Sequence, residues 1–366
     1  MSSAQPKILL TGATGYIGGS ILAHLLAPST TSTLEQAPIT LLLRGEDRAS
    51  ELRSAYGDRV HPLVYSGLDD TEATIAIAAQ HDIVINTTIG WHPTSAAALI
   101  RGLAQRKAAT GHDVWMVHTS GTSNLADQPM SGKWIEDIPG REFDDATSDI
   151  YGYEKKREGK VQYAQRTAEL AVVDTGLELG VKTLVIMSPT IFGRGSGLFN
   201  SSSIQIPAVV RGVLAQGHGI VLGDGKGVWD HVHVEDLAEL YKVVVMQILE
   251  NSGKNLPSGK HGIIFSGNGR HSWLEVSQRV TDACVEMGKI TDNHVRRVSL
   301  GEGTRILSEH FMGADEDMLE LGIVSTSRTL SNVGRRLGWK PTRGEDAWIQ
   351  GFKDDVEVTL RRIGTV

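Results

Sequence analysis

The 366-residue chain has one cysteine, Cys284, no excess of basic residues and no long apolar run. A single thiol excludes an internal disulfide framework and a thiolate metal cluster. With 36 Lys and Arg against 43 Asp and Glu, the net charge of −7 argues against a nucleic-acid surface and against an anionic-membrane surface, both of which need a basic patch. No apolar stretch approaches a membrane span, and residues 1–6 are too short and polar for a signal peptide. A cytoplasmic protein is the expectation. Composition, at 40% hydrophobic and 22% charged, is that of an ordinary folded protein, and the length accommodates a main domain with a satellite.

What is present begins at Lys7-Ile8-Leu9-Leu10, an apolar strand running into Thr11-Gly12-Ala13-Thr14-Gly15-Tyr16-Ile17-Gly18 and then a helix with apolar positions 17, 21, 22 and 25. The three glycines are needed for different physical reasons. Gly12 permits the sharp turn, Gly15 lets a pyrophosphate approach backbone, and Gly18 lets the helix pack close to the sheet. The helix N-terminus offers that phosphate free N–H groups. Thr11, Gly12, Thr14, Gly15, Tyr16, Ile17 and Gly18 are the expected dinucleotide contacts. Further strands at Ile39–Leu43, Val60–Tyr65, Asp82–Thr88, Val114–His118 and Thr183–Met187 alternate with helical runs. That alternation predicts an α/β fold, a doubly wound parallel sheet with its ligand at the carboxyl ends of the strands.

Gly12-x-x-Gly15-x-x-Gly18 resembles the extended and atypical short-chain dehydrogenase/reductases of the NAD(P)-dependent epimerase/dehydratase type. Later runs extend the resemblance over most of the chain: Ser188-Pro189-Thr190-Ile191-Phe192-Gly193, Val232-His233-Val234-Glu235-Asp236-Leu237-Ala238, and Leu337-Gly338-Trp339-Lys340-Pro341. It implies a Rossmann domain of residues 5–190 and 228–266 and a smaller substrate domain of 191–227 and 267–366. The second strand ends in Arg44, with Arg48 beyond it, where an NAD site usually places a carboxylate. NADP(H) is therefore expected ahead of NAD. Adenine is expected beside Leu68, Thr87 and Thr88 end the strand beneath the cofactor, and Pro189 closes over the nicotinamide.

The catalytic pattern departs from that family. Its hydroxyl position in the turn after the fifth strand falls on Gly121, flanked by Ser120 and Thr122, and Ser120 is the candidate to hold the reacting oxygen. Tyr151-x-x-x-Lys155 has the spacing of a tyrosine activated by a lysine, but it stands 32 residues before Thr183. Tyr163 stands 20 before, opening the run Ala164–Leu179, with Thr167 in place of the lysine and with Lys160 and Arg166, three residues before and after it, on its face of a helix. Tyr163 is the expected acid/base. Residues 124–149, a long polar loop, are expected to border the site. His231-x-His233 could face a metal from one strand, but no third ligand is apparent, and no metal is expected.

These features predict an NADP(H)-dependent oxidoreductase acting on a carbonyl or alcohol of a small, largely apolar substrate. The altered residues also fit a redox-silent NADP(H)-binding regulator or scaffold; the family resemblance suggests a third function, a sugar-nucleotide epimerase or dehydratase, against which the missing tyrosine–lysine register speaks. A homodimer is compatible with the sequence.

Overall fold

The computed structural model describes residues 5–28 and 32–364. Of the polar run 28–33, which the sequence reads as a loop after the first helix, residues 29–31 lie outside the described residues and 32–33 begin the short helix Ser32–Gln36.

Seven parallel strands form the central sheet: β1 (Ile8–Thr11), β2 (Ile39–Leu43), β3 (Val60–Val64), β4 (Ile83–Asn86), β5 (Trp115–Gly121), β6 (Lys182–Ser188) and β7 (Ile263–Phe265). Their spatial order is 7-6-5-4-1-2-3. β1, β2 and β4 are buried along their whole length, which is why they read as mostly apolar runs, broken only by Thr11, Thr40 and Asn86, rather than as alternating ones. Helices cover both faces. Pro93–Thr110 packs against Thr71–Ala78 and Ala164–Leu179 on one side, and Tyr16–Leu26 packs against Val234–Asn251 on the other. Gly102 allows the closest of these approaches, because a Cβ there would lie 2.5 Å from the Ile75 carbonyl oxygen. The strand order reverses at the β1–β4 pair, so the crevice that suits a ligand opens above Thr11 and Asn86.

A separate apolar cluster gathers Phe192, helix Gln205–Gln216, strand Gly219–Leu222 and helices Trp273–Glu286 and Glu345–Arg362. Its strand Val228–His233 lies between Thr190–Phe192 and Arg270–Ser272. His231 stacks on Trp348 at 3.9 Å between ring centroids and meets His271, Nδ1 to Nδ1, at 3.2 Å. Burial holds both imidazoles in the neutral form. Asp236 draws the C-terminal segment back onto the sheet body, accepting from the Arg343 backbone N–H at 2.9 Å and its guanidinium at 2.8 Å. No helix among the described residues is long and apolar enough to cross a membrane.

Two local expectations are corrected. Residues 124–149 contribute nothing to the walls of the two cavities beside the glycine turn; Asn124 only backs Ser120 from outside, and residues 145–149 line a separate groove. Their backbone is satisfied by residues far along the chain: Glu320 Oε1 accepts from the N–H groups of Met130 and Ser131, the Thr326 carbonyl accepts from the Asp127 N–H at 3.2 Å, and Phe143–Asp144 pairs with Thr329–Leu330. Nor do Lys160 and Tyr163 share a helix. One helix ends at Glu158 and the next starts at Ala164, with Gly159 in the break, so Lys160 projects to Trp134 instead.

Helix Tyr16–Leu26 is fastened to Val234–Asn251 by His24, which meets Glu235 at 2.8 Å and Glu239 at 3.2 Å. Hydrogen bonds to these two carboxylates raise the His24 pKa from 6.5 to about 9. A raised imidazole pKa means that the folded state binds the proton more tightly, so the stabilisation is complete below 6.5 and lost as pH rises through about 9. Urea denaturation across that window should show declining stability in the parent protein, and His24→Gln should flatten the decline; an unchanged slope would show that the clamp contributes nothing.

Candidate active site

The turn after β1 is shaped by lack of space. Gly12 has φ +78°, and its carbonyl accepts from the Gly15 N–H at 2.9 Å. A Cβ on Gly18 would lie 2.3 Å from both the Gly12 carbonyl oxygen and Thr87 Oγ1, and one on Gly12 would lie 2.6 Å from Thr87 Oγ1. Thr87 in turn donates to the Thr11 carbonyl at 2.7 Å. The Thr11 hydroxyl is turned beneath the loop to Asn86, which Thr88 also meets. Tyr16 is spent on the Gly193 carbonyl at 2.6 Å. The helix N-terminus itself stays open, with no side-chain cap at Gly15 and no acid in the first turn. An open N-terminus with bare backbone fits the pyrophosphate of a dinucleotide.

At the other end of the crevice Arg44 lies exposed after β2, its stem 3.9 Å from where a Gly67 Cβ would stand, with Leu68 half-buried next in the chain. Arg48 reaches Thr14 Oγ1 at 3.4 Å. Glu46, the nearest acid in sequence, is paired to Arg53 at 2.7 Å. The fringe of the crevice at this end is thus cationic.

Two adjoining cavities, of about 250 and about 380 Å³, continue from the glycine turn and share Ile17, Thr87, Pro189, Ile191, Ile204 and Gln205. Neither has a charged side chain in its wall. The larger is apolar at Ile89, Trp91, Trp229, Phe311, Met312 and Met318, and carries the hydroxyls of Ser120, Ser123 and Tyr163. A groove of about 740 Å³ elsewhere, between 145–150 and 254–261, contains none of these groups and lies away from the glycine turn.

Tyr163 stands one residue before the Ala164–Leu179 helix in extended backbone, which throws its ring into the cavity. Its hydroxyl donates to Ser123 Oγ at 3.2 Å, and Ser123 donates to Gln165 Oε1 at 2.5 Å. Burial pushes the phenol pKa up, offset in part by the Ser123 hydrogen bond. Among the described residues no ammonium group takes the place of the missing lysine. Thr167 is exposed, and the Arg166 guanidinium, 5.9 Å from the Tyr163 ring, is buried and bonded to Glu158, the Val161 carbonyl and the Asn124 carbonyl.

Ser120 Oγ accepts from Asn124 Nδ2 at 3.2 Å, and the same amide donates to Glu169 at 2.7 Å. Glu169 and Glu154 are fully buried there, and burial raises both pKa values, that of Glu169 to about 7. Tyr151 and Lys155 are brought together, but outside the cavity walls. Both bind Asp174, Tyr151 at 2.6 Å and Lys155 at 3.1 Å, and the Asp174 hydrogen bond lifts the phenol to about 12. His233 Nδ1 accepts from the Glu235 N–H to cap its helix, so neither it nor His231 reaches the cavities. No group of three or more His, Cys, Asp or Glu is placed to hold a metal among the described residues.

Sequence reasoning passes over Gln165, Trp91, Phe311 and Met312. Gln165 has a signal, standing two residues after Tyr163; the Phe311 segment, far along the chain, has none.

The model of the NAD dependent epimerase/dehydratase family matches residues 8–255. The chain is 30% identical over 348 residues to Oxidase ucsJ of an Acremonium species, covering 92% of each sequence. Among solved structures it resembles DesIV, a dTDP-glucose 4,6-dehydratase from Streptomyces venezuelae with NAD bound, at TM-score 0.60 and 15% identity over 97% of both chains. It also resembles a Thermus thermophilus UDP-glucose 4-epimerase in complex with NAD, at TM-score 0.58 and 17% identity, over 96% of this chain and 99% of that one.

Because a methyl group at position 18 would displace the Gly12 carbonyl, Gly18→Ala should weaken NADPH and NADH binding alike, by about tenfold or more on loss of backbone contacts to the phosphates. Titration by tryptophan fluorescence reads this directly. Undiminished affinity would mean that the turn does not carry the phosphates.

Proposed function

The chain belongs to the NAD dependent epimerase/dehydratase family, and on that premise we propose an NADP(H)-dependent oxidoreductase that moves hydride to or from a carbonyl or alcohol carbon of a small, uncharged, largely apolar substrate. The observation that carries this reading is the cavity of about 380 Å³ beside the glycine turn, apolar in its walls, free of charged side chains and furnished with Tyr163 and Ser120. A sugar nucleotide would bring a diphosphate into a space with no cation to receive it.

The nicotinamide, when bound, supplies or accepts the hydride. Gly12, Gly15 and Gly18 would hold the pyrophosphate with Thr14 at the loop's tip, Arg44 and Arg48 would receive the adenosine 2′-phosphate near Leu68, and Ile17, Thr87, Thr88 and Pro189 would flank the nicotinamide. Thr11 and Tyr16 support the turn from beneath. Ser120 orients the substrate oxygen, and Tyr163 exchanges the proton with it. Burial keeps the phenol protonated, so Tyr163 gives its proton to the substrate oxygen in the reduction direction and takes it back in the oxidation direction.

The test begins with NADPH and NADH titration, followed by NADPH oxidation over a panel of ketones and aldehydes. NADPH should bind more tightly, and replacing Arg44 and Arg48 together by Ala should weaken NADPH roughly tenfold to a hundredfold while leaving NADH unchanged. Tyr163→Phe should lower turnover about a hundredfold with little change in cofactor affinity. NADPH binding without turnover of any carbonyl would refute the oxidoreductase and favour a redox-silent binding protein.

A further inference from the structure

Gly121 and Gly90 pose a question that their backbones do not answer. Gly121 lies in extended conformation, φ −138° and ψ 147°, which any residue adopts, and Gly90 is not in the left-handed region either. Space explains both. A Cβ on Gly121 would lie 3.0 Å from Gln165 Nε2 and 3.2 Å from its Oε1, and a Cβ on Gly90 would lie 3.4 Å from Nε2. The side-chain amide of Gln165 is thus seated in a slot between two bare backbones, one following β4 and one ending β5.

The amide is also oriented. Oε1 accepts from Ser123 Oγ at 2.5 Å and more weakly from the Tyr163 hydroxyl at 3.5 Å. Nε2, by contrast, donates to no protein acceptor among the described residues, and Gln165 lines the cavity together with Ser120 and Tyr163. The Ser123 hydroxyl, itself accepting from Tyr163, donates to the carbonyl end, which polarises the amide and makes its N–H groups better donors. A half-buried amide with its oxygen occupied and its nitrogen unpartnered lacks only an acceptor, and the cavity is where one would enter.

We propose that Gln165 Nε2 is a catalytic hydrogen-bond donor to the reacting oxygen of the substrate, filling the space that a side chain at position 121 would otherwise occupy. This rests on the carbonyl chemistry proposed above and adds a residue to it. As hydride reaches the carbonyl carbon, the electron pair of the breaking π bond moves to oxygen. The Gln165 N–H holds that oxygen as negative charge grows, and Tyr163 supplies the proton. Ser123 is a positioning residue, since it acts through Oε1.

The probe is acetophenone, compared with ethylbenzene, which has the same apolar bulk and no carbonyl. Both are bound to the protein with NADP+, a complex that cannot reduce the ketone. The parent protein should bind acetophenone about fivefold to tenfold more tightly than ethylbenzene and lower its infrared carbonyl frequency. Gln165→Leu should abolish the preference and most of the frequency shift while leaving NADPH affinity unchanged, and should reduce turnover about a hundredfold. In a Gln165→Ala background, Gly121→Ser should recover part of the shift, since a hydroxyl then enters the vacated slot; this second variant separates loss of the donor from damage to the fold.

An unchanged shift and preference in Gln165→Leu would overturn the proposal, as would equal binding of the two ligands by the parent protein. A full, Gln165-dependent shift without reduction of any carbonyl would sustain the donor and overturn the oxidoreductase. Binding of neither ligand would overturn both.

Discussion

Everything in the candidate site is placed by the contact between the glycine turn and the end of β4. Thr87 donates to the Thr11 carbonyl and lies against both Gly12 and Gly18, so that two strands and the first helix converge with no room for a single additional methyl group. Packing this close has no compliant neighbour, because what stands beside each absent Cβ is backbone as well as side chain. It sets the helix N-terminus over the crevice, and it brings Thr87 and Ile17 to the mouth of both cavities.

A second constraint acts from behind the site. Arg157 and Arg166 are almost wholly buried, and both guanidinium groups donate to the Asn124 carbonyl, at 3.0 and 2.8 Å. Buried charge is tolerated only where such bonds satisfy it. The outcome is geometric. Two helices, Ile150–Glu158 and Ala164–Leu179, are pinned to the turn after β5, and the break between them delivers Tyr163 and Gln165 to the cavity while leaving Tyr151 and Lys155 at Asp174. The end of β5 supplies Ser120 and the turn after it Ser123, so Asn124 and Gln165 fix the two hydroxyls within one short segment rather than on independent loops.

The site differs from a tyrosine–lysine pair in its electrostatics. With the phenol buried and no ammonium beside it among the described residues, Tyr163 remains a neutral donor, and the polar groups around it are hydroxyls and an amide. Charge is kept to the periphery, as Arg44 and Arg48 beyond the glycine turn, while the interior is apolar at Trp91, Trp229 and Phe311. Such a division suits an anionic cofactor and a neutral substrate.

The sheet is legible in the sequence because its determinants are local. Ile8–Thr11 and Ile39–Leu43 are almost wholly apolar runs, and Gly12, Gly15 and Gly18 announce a strand-to-helix turn whatever surrounds them. Arg44 and Tyr163 can also be singled out, each from its distance to a neighbouring strand. The expectations that fail depend on helix continuity or on long-range contact. Lys160 reaches the face of Tyr163 only through a helix that in fact breaks at Gly159, and loop 124–149 turns away from the cavity because the Glu320 carboxylate and the Thr326 carbonyl satisfy its backbone. Gln165 acquires its position only when Gly90 and Gly121 come together around it, and the Phe311 segment reaches the cavity from the far end of the chain. Periodicity and the conformational freedom of single residues were enough to dictate the sheet, the glycine turn and the uneven distribution of charge. The choice of polar groups that face the cavity was left to long-range packing, because it depends on which buried charges and bare backbones meet after segments distant in the chain have come together.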